Sequence, residues 1–383
     1  MSQNCRDHSL LSDPTTGAQP TSGNARPTPL DRRRWLRILA AGGIASLGWG
    51  GRGWNGLAVA DDEGAPDEVA DQAESPEGAE GASDPALLEY RDPKVQRYRC
   101  GLVLETGSAN CRGIVSTFPI PREWPEQQVK LVEQSVDPVF ASSLQVRELD
   151  GLVSQVVMRA GGVPAGSTAE ATFTFELTRS RIVAPPSVAG LSAPRRPGRE
   201  LRQYLISSPY IDPGSARIRV AVREIEAVLA ESQTREAAVD SQDWKRIETI
   251  YDWVREKVAY VEGDIKTADE ALKDGTGDCE ELTSVFVAIC RAMRIPARMV
   301  HVLMHCYPEF YLEDADGQGH WFPCQVAGTR QFGSMEEYRP ILQKGDRFKT
   351  PEQSLQRYVA EYFRAAAVQG GKPKPRFVQE ILE

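Results

Sequence analysis

Seven cysteines and four histidines are the side chains of this 383-residue chain best suited to nucleophilic or metal chemistry, and one cysteine stands apart by its place. In DGTGDCEELTSVFVAICRAMRIPARMV, Asp274 to Val300, Cys279 follows two glycines and an aspartate and opens an apolar run. Asp278, with Glu281 three positions on, has the spacing of a capping box, which makes Cys279 the first residue of a helix. A thiol attacks as the thiolate, and a helix N-terminus or a nearby imidazolium lowers its pKa. Cys290, inside the same run, reads as a packing thiol. Glu280 and Glu281 oppose a thiolate at position 279, so the helix end alone is insufficient and a histidine partner is required.

Three histidines follow the first 60 residues: His301, His305 and His320. His305 is the best placed, at the start of a strand after the helix, and His301, four residues earlier, is the alternative base. A third group must hold the imidazole by accepting a hydrogen bond from its other nitrogen. Gln325, on the next strand, is the candidate. The alternative chemistry is a metal set of Cys279, His305, Cys306 and Cys324. It lacks a close Cys-x-x-Cys pair, and adjacent strand residues point to opposite faces. No metal and no cofactor is expected.

These side chains need particular elements to bring them together. Leu282, Val285, Phe286, Ile289 and Met293 form one stripe of the helix, and Val287 and Ala288 widen it, so the helix should be buried. RIPAR ends it, because a proline follows Ile295. RMVHVLMHCYPEFYL and HWFPCQV alternate around EDADGQG, an Asp-Gly turn signal. The pattern predicts a hairpin from about His305 to Gln325, centred near Ala315. In that register His305 faces Gln325, while Cys306 and Cys324 share the opposite face as free thiols or a cross-strand disulfide. Glu309 reads as a hydrogen-bonded strand residue, not an acid catalyst. Upstream, Ile218 to Leu229 and Trp244 to Val258 have helical periodicity, the second with Asp243 near its N-cap.

GTGDCEELTSVFVAICRAMRIPARMV followed by HCYPEFYLEDADGQGHWFPCQVAG resembles the transglutaminase-like superfamily, whose core is a papain-like cysteine fold. The residues that carry the resemblance are Asp278, Cys279, Ile295 to Arg298, His305, Glu309, Trp321 and Pro323, within roughly Ser241 to Gly333. The family's strand has aspartate where this chain has Gln325. Aspartate both orients the histidine and stabilises its cation, whereas a neutral amide orients only. The resemblance implies acyl transfer from an amide of a peptide or protein through a Cys279 thioester, with His305 as base and then acid. Hydrolysis is placed ahead of cross-linking. The oxyanion would be met by the Cys279 backbone N–H. The alternative is a non-catalytic peptide- or cell-wall-binding module on the same fold, and Gln325 is the residue that separates the two.

The rest of the chain sets the context. DRRRWLRILAAGGIASLGWGG, with Arg32, Arg33, Trp35, Leu36 and Arg37, resembles a twin-arginine export signal, and Ala58 to Ala60 is a plausible cleavage site. The apolar run is too short for a membrane span of roughly 20 residues, so none is expected after processing, and a periplasmic or extracellular location follows. Residues 61–85 hold ten acids and no base, the composition of a disordered linker. They carry −10 against −9 for the whole chain, so the remainder is near neutral, and no aromatic-basic interleaving follows, which argues against nucleic acid as a partner. From Leu87 to about Ile182 the period is two (Tyr98, Cys100, Leu102, Leu104; Ala171, Phe173, Phe175, Leu177), predicting a small antiparallel β domain. Cys100 and Cys111 flank a turn there, as a disulfide or as separate thiols. The expected fold is α+β, a papain-like transglutaminase core in which the cysteine helix packs on an antiparallel sheet, preceded by that β domain. The predicted segments are 1–60 signal, 61–85 acidic linker, 86–183 β domain, 184–200 Pro/Gly-rich linker, 201–345 catalytic domain and 346–383 a helical extension.

Overall fold

The computed structural model describes residues 87–233 and 241–382. The predicted signal and acidic linker lie outside the described residues. The β region consists of β1 (Glu89–Glu105), β2 (Asn110–Ile120), β3 (Gln127–Val136), β4 (Gln145–Leu149), β5 (Val153–Val163) and β6 (Thr168–Val183). The alternation that predicts these strands also sets their inner faces: Tyr98, Cys100, Leu102 and Leu104 of β1 and Ala171, Phe173, Phe175 and Leu177 of β6 are buried.

After a single helical turn at Arg199–Arg202, four longer helices follow: α1 (Ala216–Gln233), α2 (Gln242–Lys257), α3 (Ala268–Asp274) and α4 (Cys279–Ala292). Ser241 caps α2, its Oγ accepting from the Trp244 N–H at 3.1 Å, and Asp243 lies in the first turn. Two-residue strands β7 (Ala259–Tyr260) and β8 (Thr276–Gly277) pair in parallel just before α4. Then come β9 (Ala297–Val302), β10 (His305–Glu313), β11 (Gly319–Gln325), β12 (Gln331–Phe332), β13 (Ile341–Lys344), β14 (Tyr362–Gln369) and β15 (Lys374–Leu382).

The strands form one sheet in the order β15-β1-β6-β3 and a larger one in the order β12-β11-β10-β9-β13-β5-β2-β14, with β4 added on β5. The β region is therefore continuous with the sheet that packs on the helices. Pairing of Gln343 in β13 with Val153 in β5 joins the two.

The C-terminal segment read as helical is instead extended. β14 pairs with β2, and β15 pairs with β1. The alanines at 365–367 favour a helix by propensity, but two open strand edges capture the segment, and long-range pairing overrides local preference. The turn between β14 and β15 requires glycine at 370, where φ is 93° and a Cβ would stand 2.2 Å from the Ser108 carbonyl oxygen.

α4 is the centre of the molecule. Every residue from Glu281 to Arg291 is buried. Its apolar side chains pack with Ile225 of α1, Ile247, Ile250 and Val254 of α2, and Phe310, Leu312, Phe322 and Cys324 of the sheet. Each such side chain contributes roughly 1.5–3 kcal/mol on burial. Trp244 meets Phe310, Phe322 and Phe332 edge-on, with ring centroids 5.1–5.5 Å apart. On the other face of the sheet the Lys344 ammonium bridges Glu309 at 2.6 Å and Glu126 at 2.7 Å. Arg298 completes the cluster, 2.6 Å from Glu309, so the loop before β3 is tied to β10 and β13 through buried charge.

The predicted linker runs along this core: Ser192 exchanges two backbone hydrogen bonds with Glu313, and the Ala193 N–H donates to Asp243. Among the described residues all six cysteines are free thiols. Cys100 and Cys111 lie in different sheets, because the chain crosses from one layer to the other at the turn between them. No described helix is long and apolar enough to cross a membrane.

Candidate active site

The stretch DGTGDC folds as its residue types require. Gly275, at φ 68°, ends α3 in the left-handed conformation. Gly277 has no room for a side chain, since a Cβ would lie 2.4 Å from that of Glu281. Asp278 then caps α4: its Oδ1 accepts from the Glu280 N–H at 2.7 Å, and Glu281 returns the bond by accepting from the Asp278 N–H at 3.0 Å. The capping box is complete and Cys279 is the first helical residue. A cap of this kind is worth about 1 kcal/mol.

β10 brings His305 to this helix end. The hairpin of β10 and β11 pairs Glu309 with Pro323 and Phe310 with Phe322, so its midpoint is Asp316, one residue beyond the predicted centre. The loop is closed by Asp314, whose N–H donates to the Gln318 carbonyl, and by Gly317 at φ 78°. Moving the centre by one residue shifts every partner by two, which preserves the faces. His305 and Gln325 are therefore diagonal neighbours, and His305 Nε2 lies 3.1 Å from Gln325 Oε1. With Nε2–H donating to the amide oxygen, Nδ1 is left for the thiol. Gln325 is itself fixed by its strand, whose carbonyl accepts from Tyr251 Oη at 2.8 Å and from Arg255 at 3.1 Å.

Cys306 does not turn away from the site as strand alternation predicts. Even-numbered residues of β10 face α4, and Cys306 joins Phe310 and Leu312 in that core. Its thiol lies 3.7 Å from Thr283 Oγ1 and is the largest influence lowering the Cys279 pKa. At the start of β10, directly after Met304 at φ 58°, both His305 and Cys306 reach the start of α4. Cys324 shares the even face but packs deeper in the core, so no cross-strand disulfide forms.

The electrostatics favour a thiolate at Cys279, which is 7% exposed. The hydrogen bond from Cys306 is the largest influence, followed after opposing burial by the bond and charge of His305; together they pull the Cys279 pKa down to about 5. Burial holds the Cys306 thiol well above its ordinary value, so Cys306 keeps its proton and donates. Burial likewise pushes Cys290 upward. The two glutamates that oppose a thiolate are both muted. Glu281 is raised to about 7, mainly by burial, and Glu280 is ion-paired with Arg357.

The other histidines are elsewhere. His301, the alternative base, is buried within β9 opposite Cys306 and beside Tyr358, and burial lowers its pKa to about 4. His320 pairs with Asp314 at 2.7 Å in the hairpin loop. Among the described residues no three His, Cys, Asp or Glu side chains gather as metal ligands. Sequence reasoning missed two neighbours of the thiol. For Cys306 the signal was present in the apolar even positions of its strand. For Arg357, far down the chain, there was none.

A helix bearing a thiol at its N-terminus, packed on an antiparallel sheet that carries an imidazole and an amide, defines a papain-like cysteine fold. Residues 228–326 match the family profile of the transglutaminase-like superfamily, and this part of the chain is a transglutaminase-like core. The chain matches no curated protein. Among solved structures it is similar to a candidate cysteine protease from Cytophaga hutchinsonii, at 13% identity and a TM-score of 0.47, over 76% of this chain and 93% of that one. It is also similar to a candidate protease from Parabacteroides distasonis ATCC 8503, at 11% identity and a TM-score of 0.21, over 59% of this chain and 48% of that one.

Proposed function

We propose that the protein is an exported, cysteine-dependent acyl-transfer enzyme that cleaves amide bonds of peptides or proteins. The observation that carries this reading is the arrangement at the start of α4: the first-turn thiol of Cys279, its pKa lowered by Cys306 and His305, and the His305 Nε2 held 3.1 Å from Gln325 Oε1.

In this reading Cys279 is the nucleophile, His305 the base and then the acid, and Gln325 the orienting group. The Cys279 sulfur attacks the amide carbonyl carbon, and its proton resides on His305. The oxyanion is met by the Cys279 backbone N–H, which points out of the helix start. The C–N bond breaks as His305 returns the proton to the leaving amine, leaving a thioester. Water, deprotonated by His305, then attacks the thioester and frees the acid and the thiol. Hydrolysis is favoured over transfer to a protein amine by the 7% exposure of Cys279, because water reaches such a centre without a second macromolecule docking on it. Export rests on the Arg32-Arg33 pattern and the Ala58–Ala60 site.

Gln325 supports a second reading, a peptide- or wall-binding module on the same fold, because a neutral amide cannot stabilise an imidazolium as a carboxylate does. An activated acyl ester separates the two. Under the first reading the mass of the Cys279 peptide rises by one acyl group and then falls as water regenerates the thiol. No adduct, together with no cleavage of peptide amides, would leave only binding.

A further inference from the structure

The last part of the chain reaches back to the thiol. Between β13 and β14 the segment 345–361 crosses the N-terminus of α4, and its Arg357 side chain is 4% exposed. The guanidinium donates to Ser284 Oγ at 3.1 Å, is ion-paired with Glu280, and lies 4.9 Å from the Tyr210 ring. The backbone around it is fixed. The Gln343 side chain donates to the Arg357 carbonyl at 3.3 Å and accepts from the Val359 N–H at 3.0 Å. Glu280 is the residue next to Cys279, and at that position a free carboxylate would repel a thiolate.

We infer that Arg357 is a positioning residue of the thiol site: by holding Glu280 in a partly buried ion pair, it offsets the one carboxylate charge beside Cys279 that the helix cap does not use. The inference rests on the proposed role of Cys279. The groups facing that thiol are Asp278 from the helix cap, His305 and Cys306 from β10, and Arg357 from this segment. Asp278 is committed to the cap, and Cys306 is a neutral donor, so the balance between Glu280 and Arg357 is the adjustable charge. Burial lowers the Arg357 pKa to about 10, which leaves it cationic at neutral pH. The C-terminal segment thus completes the site electrostatically while β14 and β15 anchor it to the β region.

The test is the pH dependence of Cys279 alkylation by iodoacetamide, read by peptide mass spectrometry, in the wild type and three variants. In Arg357→Gln the freed Glu280 raises the midpoint by about one unit. In Glu280→Gln the unopposed guanidinium lowers it, and this variant bears on the inference even where Arg357→Gln fails to fold. The double variant returns to near the wild-type midpoint, a reversal that a merely structural role would not produce. A low wild-type midpoint that neither single variant moves, or that Glu280→Gln raises, overturns the role of Arg357 while leaving the Cys279–His305 reading intact. A wild-type midpoint near the free-thiol value of about 8.5 overturns both.

Discussion

Cys279 and Cys290 are carried by the same helix, about three turns apart, and the two ends of α4 give them opposite chemistry. At the first turn the cap, a neutral thiol donor and an imidazole surround Cys279 and lower its pKa. At the last turn Cys290 is fully enclosed by apolar side chains, and burial alone raises its pKa. The nearest charges there serve a different purpose. Arg291, fully buried, donates to both oxygens of Asp346 at 2.7–2.8 Å and to the Ala297 carbonyl, fastening the helix end to the sheet. One end of α4 surrounds its buried thiol with polar partners, and the other spends its polar groups on fixing the helix. The lesson is that thiol reactivity follows the hydrogen bonds and charges around the sulfur, since both cysteines are buried and both lie on one helix.

The comparison can be broken most decisively at the nucleophile. Cys279→Ala should lower turnover by about 10⁴-fold or more and abolish acyl-adduct formation, whereas Cys290→Ala should keep both and cost only about 1 kcal/mol of stability. Activity that survived in the first variant and vanished in the second would reverse the assignment. His305→Ala comes next. It should move the alkylation midpoint of Cys279 from about 5 towards the free-thiol value, and cut turnover by about 10²–10⁴-fold. His301→Ala should shift the midpoint little.

The opposite end of the helix is tested by stability. Asp346→Asn leaves Arg291 buried without its counter-charge and should cost about 3–5 kcal/mol in urea unfolding. A cost below 1 kcal/mol would show that the pair does not fasten the helix. Gln325 sharpens the view of the thiol end. Gln325→Leu removes the acceptor for Nε2–H and should lower turnover by about 10- to 100-fold, the loss of one buried hydrogen bond. Gln325→Asp should retain activity, and a large gain there would favour the binding-module reading of the natural protein.

The smallest effect concerns Glu281. Its folded pKa, about 7, lies above the ordinary value of 4.5. The native state therefore binds more protons than the unfolded chain between those values. The contribution of Glu281 is fully present below pH 4.5 and is lost as pH rises through about 7. Glu281→Gln keeps the cap acceptor and cannot ionise, so its stability relative to wild type should improve from pH 5 to pH 8. Denaturant midpoints at the two pH values measure this, and a change in the opposite direction would mean that Glu281 is ionised in the fold.

The sequence by itself determined the local features. Asp278, Glu281 and the two glycines set the helix start, the apolar stripe set the buried helix, and alternation around the Asp-Gly turn set the hairpin. Each rests on residues a few positions apart, where steric and hydrogen-bond rules act directly. His305 and Gln325 could be paired because the predicted register erred by two residues, which keeps the face.

Only the tertiary structure decided the rest. Alternation placed Cys306 on the far side of the strand from the site. The packing of that face against α4, at the start of the strand, put it beside Cys279 instead. Local propensity favoured a helix after residue 346, but the open edges of β1 and β2 made it two strands. Arg357 reaches Glu280 through that long-range pairing, and Asp346 reaches Arg291 through its place beside β9. The energy of these contacts comes from burial and charge between segments distant in the chain, and no local pattern encodes which distant segment will arrive.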